Sequence, residues 1–284
     1  MSDTWSCREY GRHELQGIAA LVAHSPVEST FHVKPIVDDP VGNNAWFFAA
    51  SHEDGRVGAF AAVVGTRANL LGFDDGAVDA MAMAMLKSQT IHTSREAHRH
   101  VLLGPATVVD RFWAIFQDVG RQVVGNRKLE LMASGGEGKG SRRLTLDLAT
   151  HSDLPVLTVF AGDYGLERHG FDPRKVAPAA LERQLTDAID AGRLLVARES
   201  GRAMFMAIVR DVDEETVLLD RVHVPVAYRG RKILVGGALF AAAASAPVAA
   251  KRVLVFIDGD LMQIGAARAG YTSLQSYREV AMLG

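Results

Sequence analysis

The chain has 284 residues, 48% hydrophobic and 23% charged, with a formal net charge of −2 and a pI near 6.6. That balance supports a buried core and excludes a chain kept unfolded by its own charge. It supplies no overall field to draw in nucleic acid or an anionic membrane, so neither is expected as a partner. The single cysteine, Cys7, excludes an internal disulfide and fits a reducing compartment. Residues 1–6 lack a basic region followed by an apolar one, so no signal peptide is expected. The most apolar run, 238–250, is alanine-rich and broken by Pro247, too short to span a bilayer. A cytoplasmic protein is the expectation.

At roughly 100–200 residues per domain, the length predicts two domains. In the first half, residues 14–24 carry apolar side chains on one helical face, and 45–50 and 57–64 read as strands. The intervening His52-Glu53-Asp54-Gly55 marks a tight hairpin turn. A methionine-rich helix is predicted over 76–89, a short strand over 100–103, a helix over 107–119 and a strand over 128–132. Met81, Met83, Met85 and Met132 read as core filler, and Phe112, Trp113 and Phe116 as packing between layers. Residues 134–141, SGGEGKGS, are small and polar and predict a linker over 134–142, separating domains 1–133 and 143–284. Lys139 is followed by Gly140, and a strand rather than a helix comes next, so this is not a phosphate-binding loop.

The second half opens on an alternating strand at 143–148. Ser152 and Asp153 are placed to cap a helix through Tyr164. A helix follows over 177–191, stopped by Gly192, then strands over 193–198, 203–210 and 216–224. A helix at 233–244, a strand at 253–257, a short helix at 261–269 and a strand at 277–283 complete the order. Such runs predict a mixed α/β layer fold (α+β, with a mixed sheet). Both halves run helix, hairpin, helix, strand, helix, strand. They can be read as distant copies of one fold.

The informative segment is 222–240. A strand ends, a turn carrying Arg229, Arg231 and Lys232 follows, and a helix begins. A helix start offers unpaired N–H groups and partial positive charge, which suit a pyrophosphate. A solvated basic connection fits the local residues equally well. The run Tyr228-Arg229-Gly230-Arg231 before a small-residue helix resembles the cofactor-binding motif of the GCN5-related N-acetyltransferases. The order of elements from 143 to 283 is also similar to that fold, as is the Ala269-Gly270-Tyr271 ending. The first half is similar to a domain preceding the acetyltransferase domain in some bacterial two-domain proteins. That likeness rests on Phe31-His32-Val33 and on Leu103-Gly104-Pro105 with Phe112-Trp113 following, and on 160–165 in the second half. It implies a degenerate acetyltransferase-like first domain.

The resemblance implies an N-acyltransferase using acetyl-CoA as co-substrate, with a small-molecule or protein amine as acceptor. It places Val222, His223, Val224, Arg229, Gly230, Arg231, Lys232, Ile233 and Leu234 against acetyl-CoA. It gives the first half a role in lining the acceptor cleft or stabilising a homodimer. The chain departs from the family pattern at four places. Lys232 occupies a position where the family has glycine and Leu234 one where it has a small residue, and Ala266 stands where the family has the tyrosine that protonates the leaving thiolate. Asp258-Gly259-Asp260 replaces a frequent asparagine.

An imidazole titrates near neutral pH, so His223 is a candidate general base; Asp220 is comparable. Asp163, Tyr164 and Glu167 lie where the family shapes its acceptor site and could hold a cationic amine. His92, Glu96, His98 and His100 fit no zinc spacing and have no cysteine partner. Two readings remain open: an acetyl-CoA-dependent N-acetyltransferase, or a ligand-binding or regulatory module that kept the fold and lost the chemistry.

Overall fold

The computed structural model describes residues 5–11, 14–42, 44–88, 99–117, 122–135, 146–229, 238–239, 241–242 and 251–283. It divides into two units, Met1–Leu129 with Gln275–Gly284, and Glu130–Leu274.

The first unit is built on strands β1 (Trp5–Tyr10), β2 (Ala45–His52), β3 (Val57–Val64), β4 (Arg67–Gly72) and β5 (Arg99–Pro105). β1 to β4 are antiparallel neighbours, and β5 runs parallel to β4. β1 and β4 were not expected from the sequence. β4 follows β3 after a two-residue turn at Gly65, whose φ of 56° suits glycine. The apolar run Phe47-Phe48-Ala49-Ala50 is continuous because both sheet faces are covered. Phe48 and Ala50 pack with Met81, Met85, Phe112 and Phe116, from the helices Asp75–Lys87 and Ala106–Phe116. Phe47 and Ala49 turn the other way, toward Ile18, Val22, Ile36 and Val37. Cys7 lies on β1, where burial pushes its thiol up to about 12, leaving it unreactive at neutral pH. His100 is buried on β5; His92, Glu96 and His98 lie outside the described residues. Among the described residues no group of three side chains is arranged to hold a metal, and no helix is long and apolar enough to cross a membrane.

The sixth strand of this unit comes from the far end of the chain. β12 (Tyr271–Leu283) pairs antiparallel with β5 over residues 277–283. Buried Glu279 accepts a hydrogen bond from Arg127 at 2.9 Å, and Arg278 donates to Asn126 at 2.8 Å and also to Asp110. Tyr277 is fully buried, with its hydroxyl 3.4 Å from His32 Nδ1. His32 Nε2 donates to the Leu70 carbonyl at 2.9 Å, which fixes Nδ1 as the acceptor. Phe31 and Tyr277 flank the His32 ring at 5.5 and 5.4 Å. The Phe31-His32-Val33 segment is therefore an interior plug.

Burial pushes His32 down to about 4, against the opposing pull of its bond to Leu70 and with the help of Arg67. The folded state prefers the neutral ring, whereas the unfolded chain takes up a proton below the ordinary value of 6.5. The His32 contribution is thus complete above pH 6.5 and is lost as pH falls toward 4, by at most about 1.4 kcal/mol per pH unit. Urea unfolding across that window should show wild type losing stability more steeply than His32→Gln. Parallel pH slopes would refute this role.

The second unit repeats the plan. β7 (Leu146–Leu148), β8 (Leu194–Glu199), β9 (Arg202–Asp211) and β10 (Thr216–His223) are antiparallel neighbours, and β11 (Arg252–Ile257) is parallel to β10. The sixth strand is β6 (Gln122–Ser134), antiparallel to β11 over residues 130–133. Ser134, expected to begin a linker, ends this strand, and its hydroxyl accepts the Val253 N–H at 2.9 Å. The two compact units divide at 129/130, and residues 275–284 belong to the first. Residues 136–145, most of the glycine-rich segment, lie outside the described residues.

Helices Leu154–His169 and Pro178–Asp190 cover one face, burying Leu157, Phe160, Leu181 and Leu185 against Val196 and Met206. On the other face Phe205, Ala207, Val217 and Leu219 pack with Ala238, Leu239, Ala242 and Ala266. The expected cap at Ser152 and Asp153 takes a different form. Thr150 caps a short turn at His151–Asp153, and Asp153 reaches back to the Thr150 N–H at 2.8 Å, a capping box. Of the helix expected at 233–244, only 238–239 and 241–242 are described, and these are helical.

Candidate functional site

The parallel pairing of β10 with β11 covers residues 216–219 against 252–255. Among the described residues, 220–223 have no registered partner on that side, although β10 continues to His223. Strands that part in this way leave peptide N–H and C=O groups facing a gap, free to pair with a ligand. On its other side β10 pairs with β9 but carries a bulge: Asp220 faces Ile208, and the next pair is His223 with Met206. Arg221 absorbs the extra residue at φ 50°, a left-handed conformation that is uncommon without glycine. Such bulges re-aim side chains, and this one sets the direction of His223.

His223 is buried, and among the described residues its Nε2 has no hydrogen-bond partner. Its Nδ1 lies 4.0 Å from Glu167 Oε2. The ring sits 5.8 Å from that of Phe160 and 6.4 Å from that of Tyr164. Phe160, Asp163, Tyr164 and Glu167 fall at three- and four-residue spacings on the Leu154–His169 helix, so one face presents them together. Burial is the main cause that lowers His223 below the ordinary imidazole value; Glu167 opposes it and Arg229 adds to it. The ring is therefore neutral at pH 7 and able to take up a proton.

Asp220 has a different setting. It accepts Arg210 Nη1 at 3.2 Å and the Arg221 N–H at 2.9 Å. Burial raises its carboxyl, but the Arg210 and Arg221 charges and these bonds outweigh it and hold it below the usual value. A carboxylate so engaged is a weak base. Arg229 ends the turn of helix Val226–Arg229. Its Nε donates to the Val224 carbonyl at 2.8 Å, and Nη2 donates to both Glu167 oxygens at 2.7 and 2.6 Å. Val224 is buried and Val222 packs against the same core. Gly230, Arg231, Lys232, Ile233 and Leu234 lie outside the described residues.

The expected acceptor residues are partly engaged already. Asp163 accepts Arg174 Nη2 at 3.0 Å, and Arg174 also holds Asp172 at 2.8 Å. Arg174 was not singled out in the sequence. Its signal is the glycine pair in the helix: a Cβ on Gly162 would meet Arg174 Nε at 2.1 Å, and one on Gly165 would meet Pro173 at 2.5 Å. Those glycines let the 171–176 segment fold back on the helix. Tyr164 lies 5.8 Å from the His169 ring, with the Arg168 guanidinium 5.9 Å from its ring centre. Arg168 bonds Asp258 at 2.6 Å. Tyr271 donates to the Leu239 carbonyl at 3.1 Å inside the core, and burial pushes its phenol up. Ala266 is fully buried.

The matching position of the first unit is built otherwise. There β4 and β5 pair over residues 67–69 and 101–103, and the next carbonyl of β4, Leu70, accepts His32. The helix after β4 starts with acidic groups. Asp74 accepts the Ala77 N–H at 3.1 Å, and Asp75 and Asp79 hold Arg111. Carboxylates occupy the helix start that would otherwise attract an anion.

No protein-family model matches the sequence, and no curated protein matches it. Solved structures do. A GCN5-related N-acetyltransferase from Sphaerobacter thermophilus is similar with a TM-score of 0.60 at 14% identity, over 98% of this chain and 95% of that one. An acetyltransferase of the same family from Colwellia psychrerythraea gives 0.57 at 13%, over 98% and 99%. A tandem protein of this fold from the clavulanic acid biosynthesis pathway gives 0.55 at 11%, over 99% and 98%. At such identities the likeness concerns the fold, and with the order of strands, the parted parallel pair and the repeated plan it leads to one conclusion: the chain has the GCN5-related N-acetyltransferase fold, spread over its whole length.

Proposed function

We propose that the second unit transfers an acetyl group from acetyl-CoA to an amine, with His223 as general base. The observation that carries this is the buried Nε2 of His223, without a partner among the described residues, on the stretch of β10 that has left β11. In this reading the amide-bearing arm of the thioester pairs with the open edge of residues 220–223, and Val222, His223 and Val224 contact it through their backbone. Arg229 and the adjoining Gly230, Arg231, Lys232, Ile233 and Leu234 hold its phosphates. A backbone N–H of β10 polarises the thioester carbonyl. Nε2 takes one proton from the incoming ammonium, and the freed amine attacks the carbonyl carbon. The tetrahedral intermediate expels the thiolate, which receives the second proton of the nitrogen. The amide keeps the third. Asp163, Tyr164 and Glu167 border the acceptor. The similar solved structures include acetyltransferases, which supports this reading.

The first unit supplies no second site in this reading. His32 fills its strand gap and aspartates fill its helix start. Calorimetry of the full chain with acetyl-CoA should therefore give one site per chain, with thiol release on adding an amine from a panel. Absence of binding at millimolar concentration would sink the proposal. Binding without thiol release would favour the second reading, a ligand-binding or regulatory module. The observation on its side is that Ala266 and Tyr271 are both locked in the core, away from any role as thiolate acid.

A further inference from the structure

Glu167 stands between two competitors. Both of its oxygens accept Arg229 Nη2, at 2.7 and 2.6 Å, while Oε2 is also 4.0 Å from His223 Nδ1. That second distance is beyond a hydrogen bond, so the carboxylate is committed to the arginine. It faces the imidazole without bonding it. We infer that Glu167 is a positioning residue for His223, and that Arg229 withholds it until an anionic ligand draws the guanidinium away. The inference deepens the acyltransferase reading and rests on it for the identity of the anion, the phosphate groups of acetyl-CoA.

An imidazole whose Nε2 must accept a proton needs its own proton on Nδ1, and an acceptor facing Nδ1 fixes that tautomer. Glu167 is the carboxylate nearest that nitrogen. Asp163, on the same helix, is held by Arg174, and Arg168 is held by Asp258. Among the described residues, Glu167, Arg229, Asp163 and Arg168 are the charges that act on His223 from the elements packed around it. Arg229 is the one that touches Glu167 and is half-exposed. A phosphate competes well for a guanidinium. Once Arg229 turns to it, two effects add: the cation next to His223 moves off, and Glu167 can close on Nδ1. The base then strengthens only when the thioester carrier is bound, which guards against idle proton uptake in its absence.

The test is histidine NMR titration of the full chain, following the His223 ring nitrogens, with CoA as probe. Glu167→Gln should move the His223 midpoint to lower pH, because an attracting carboxylate is lost. Arg229→Gln should move it to higher pH. CoA should raise it in wild type and leave it unmoved in Arg229→Gln. Glu167→Asp keeps the charge and should retain the upward response to CoA, and thermal melts establish that each variant is folded. In turnover, Glu167→Gln should lower kcat about ten- to hundredfold and shift the acidic limb of the pH profile downward; a purely structural role would leave that limb in place. A His223 midpoint indifferent to both charge removals overturns the inference. So does CoA binding, detected by calorimetry, that leaves the wild-type midpoint unmoved. If calorimetry detects no CoA binding, the acyltransferase reading fails instead, while the two variants still decide whether Glu167 and Arg229 act on His223.

Discussion

His223→Gln should lower kcat/KM for acetyl transfer by about 10²–10⁴-fold, a barrier increase of roughly 2.7–5.5 kcal/mol. Glutamine retains polarity and much of the volume at a buried position, so the loss reports proton transfer rather than collapse of the site. Thioester affinity should change little, because the proposed contacts of residues 222–224 are made by backbone. The pH profile follows from the same group. Burial lowers His223 below the ordinary imidazole value. The rate should therefore be level at and above neutral pH and fall as acid protonates the ring. Asp220→Asn is the contrasting variant. Asp220 is tied to Arg210 and the Arg221 N–H, so its removal should leave the acidic limb in place. Full activity in His223→Gln, or a limb that vanishes with Asp220→Asn instead, would transfer the role.

Deleting residues 275–284 should unfold the first unit, although the sequence assigns them to the second. The segment carries fully buried Tyr277 and Met282 with nearly buried Val280 and Glu279, and it is the antiparallel partner of β5. Losing one large buried side chain costs about 2–5 kcal/mol, and a whole domain is stable by about 5–15 kcal/mol. Loss of the strand therefore exceeds what the unit can tolerate. It also leaves β5 as an apolar edge, a template for aggregation. Limited proteolysis with mass spectrometry should find new cleavage within residues 5–117 of the shortened chain. A fragment of 143–284 should fare no better, because β11 loses its β6 partner. A soluble, protease-resistant fragment 143–284 would contradict the strand assignment.

Much of the candidate site was legible from local pattern. The strand ending at His223 and the turn at Arg229 were marked by a strand rhythm breaking into a basic, glycine-bearing segment. Asp163, Tyr164 and Glu167 were marked by the family resemblance; the sequence ends their helix at Tyr164, whereas it continues to His169 and carries all three. Their partners were not legible. Arg174 on Asp163, Arg210 on Asp220 and Arg229 on Glu167 are contacts between elements up to 62 residues apart, and no periodicity encodes them. The bulge at Arg221 was equally hidden, since the chain there reads as an uninterrupted strand.

Periodicity was enough to read a mixed α/β chain, and its order of elements allowed the two halves to be read as copies, because alternation and helical spacing reflect which faces must leave water. They could not specify which strand closes which unit. β6 and β12 are both strand-like, and either could complete a six-stranded plan by local preference. Only tertiary pairing sends β6 to β11 and β12 to β5. It is decided by burial of Tyr277 beside His32 and by Glu279 finding Arg127, contacts 245 and 152 residues apart in the chain.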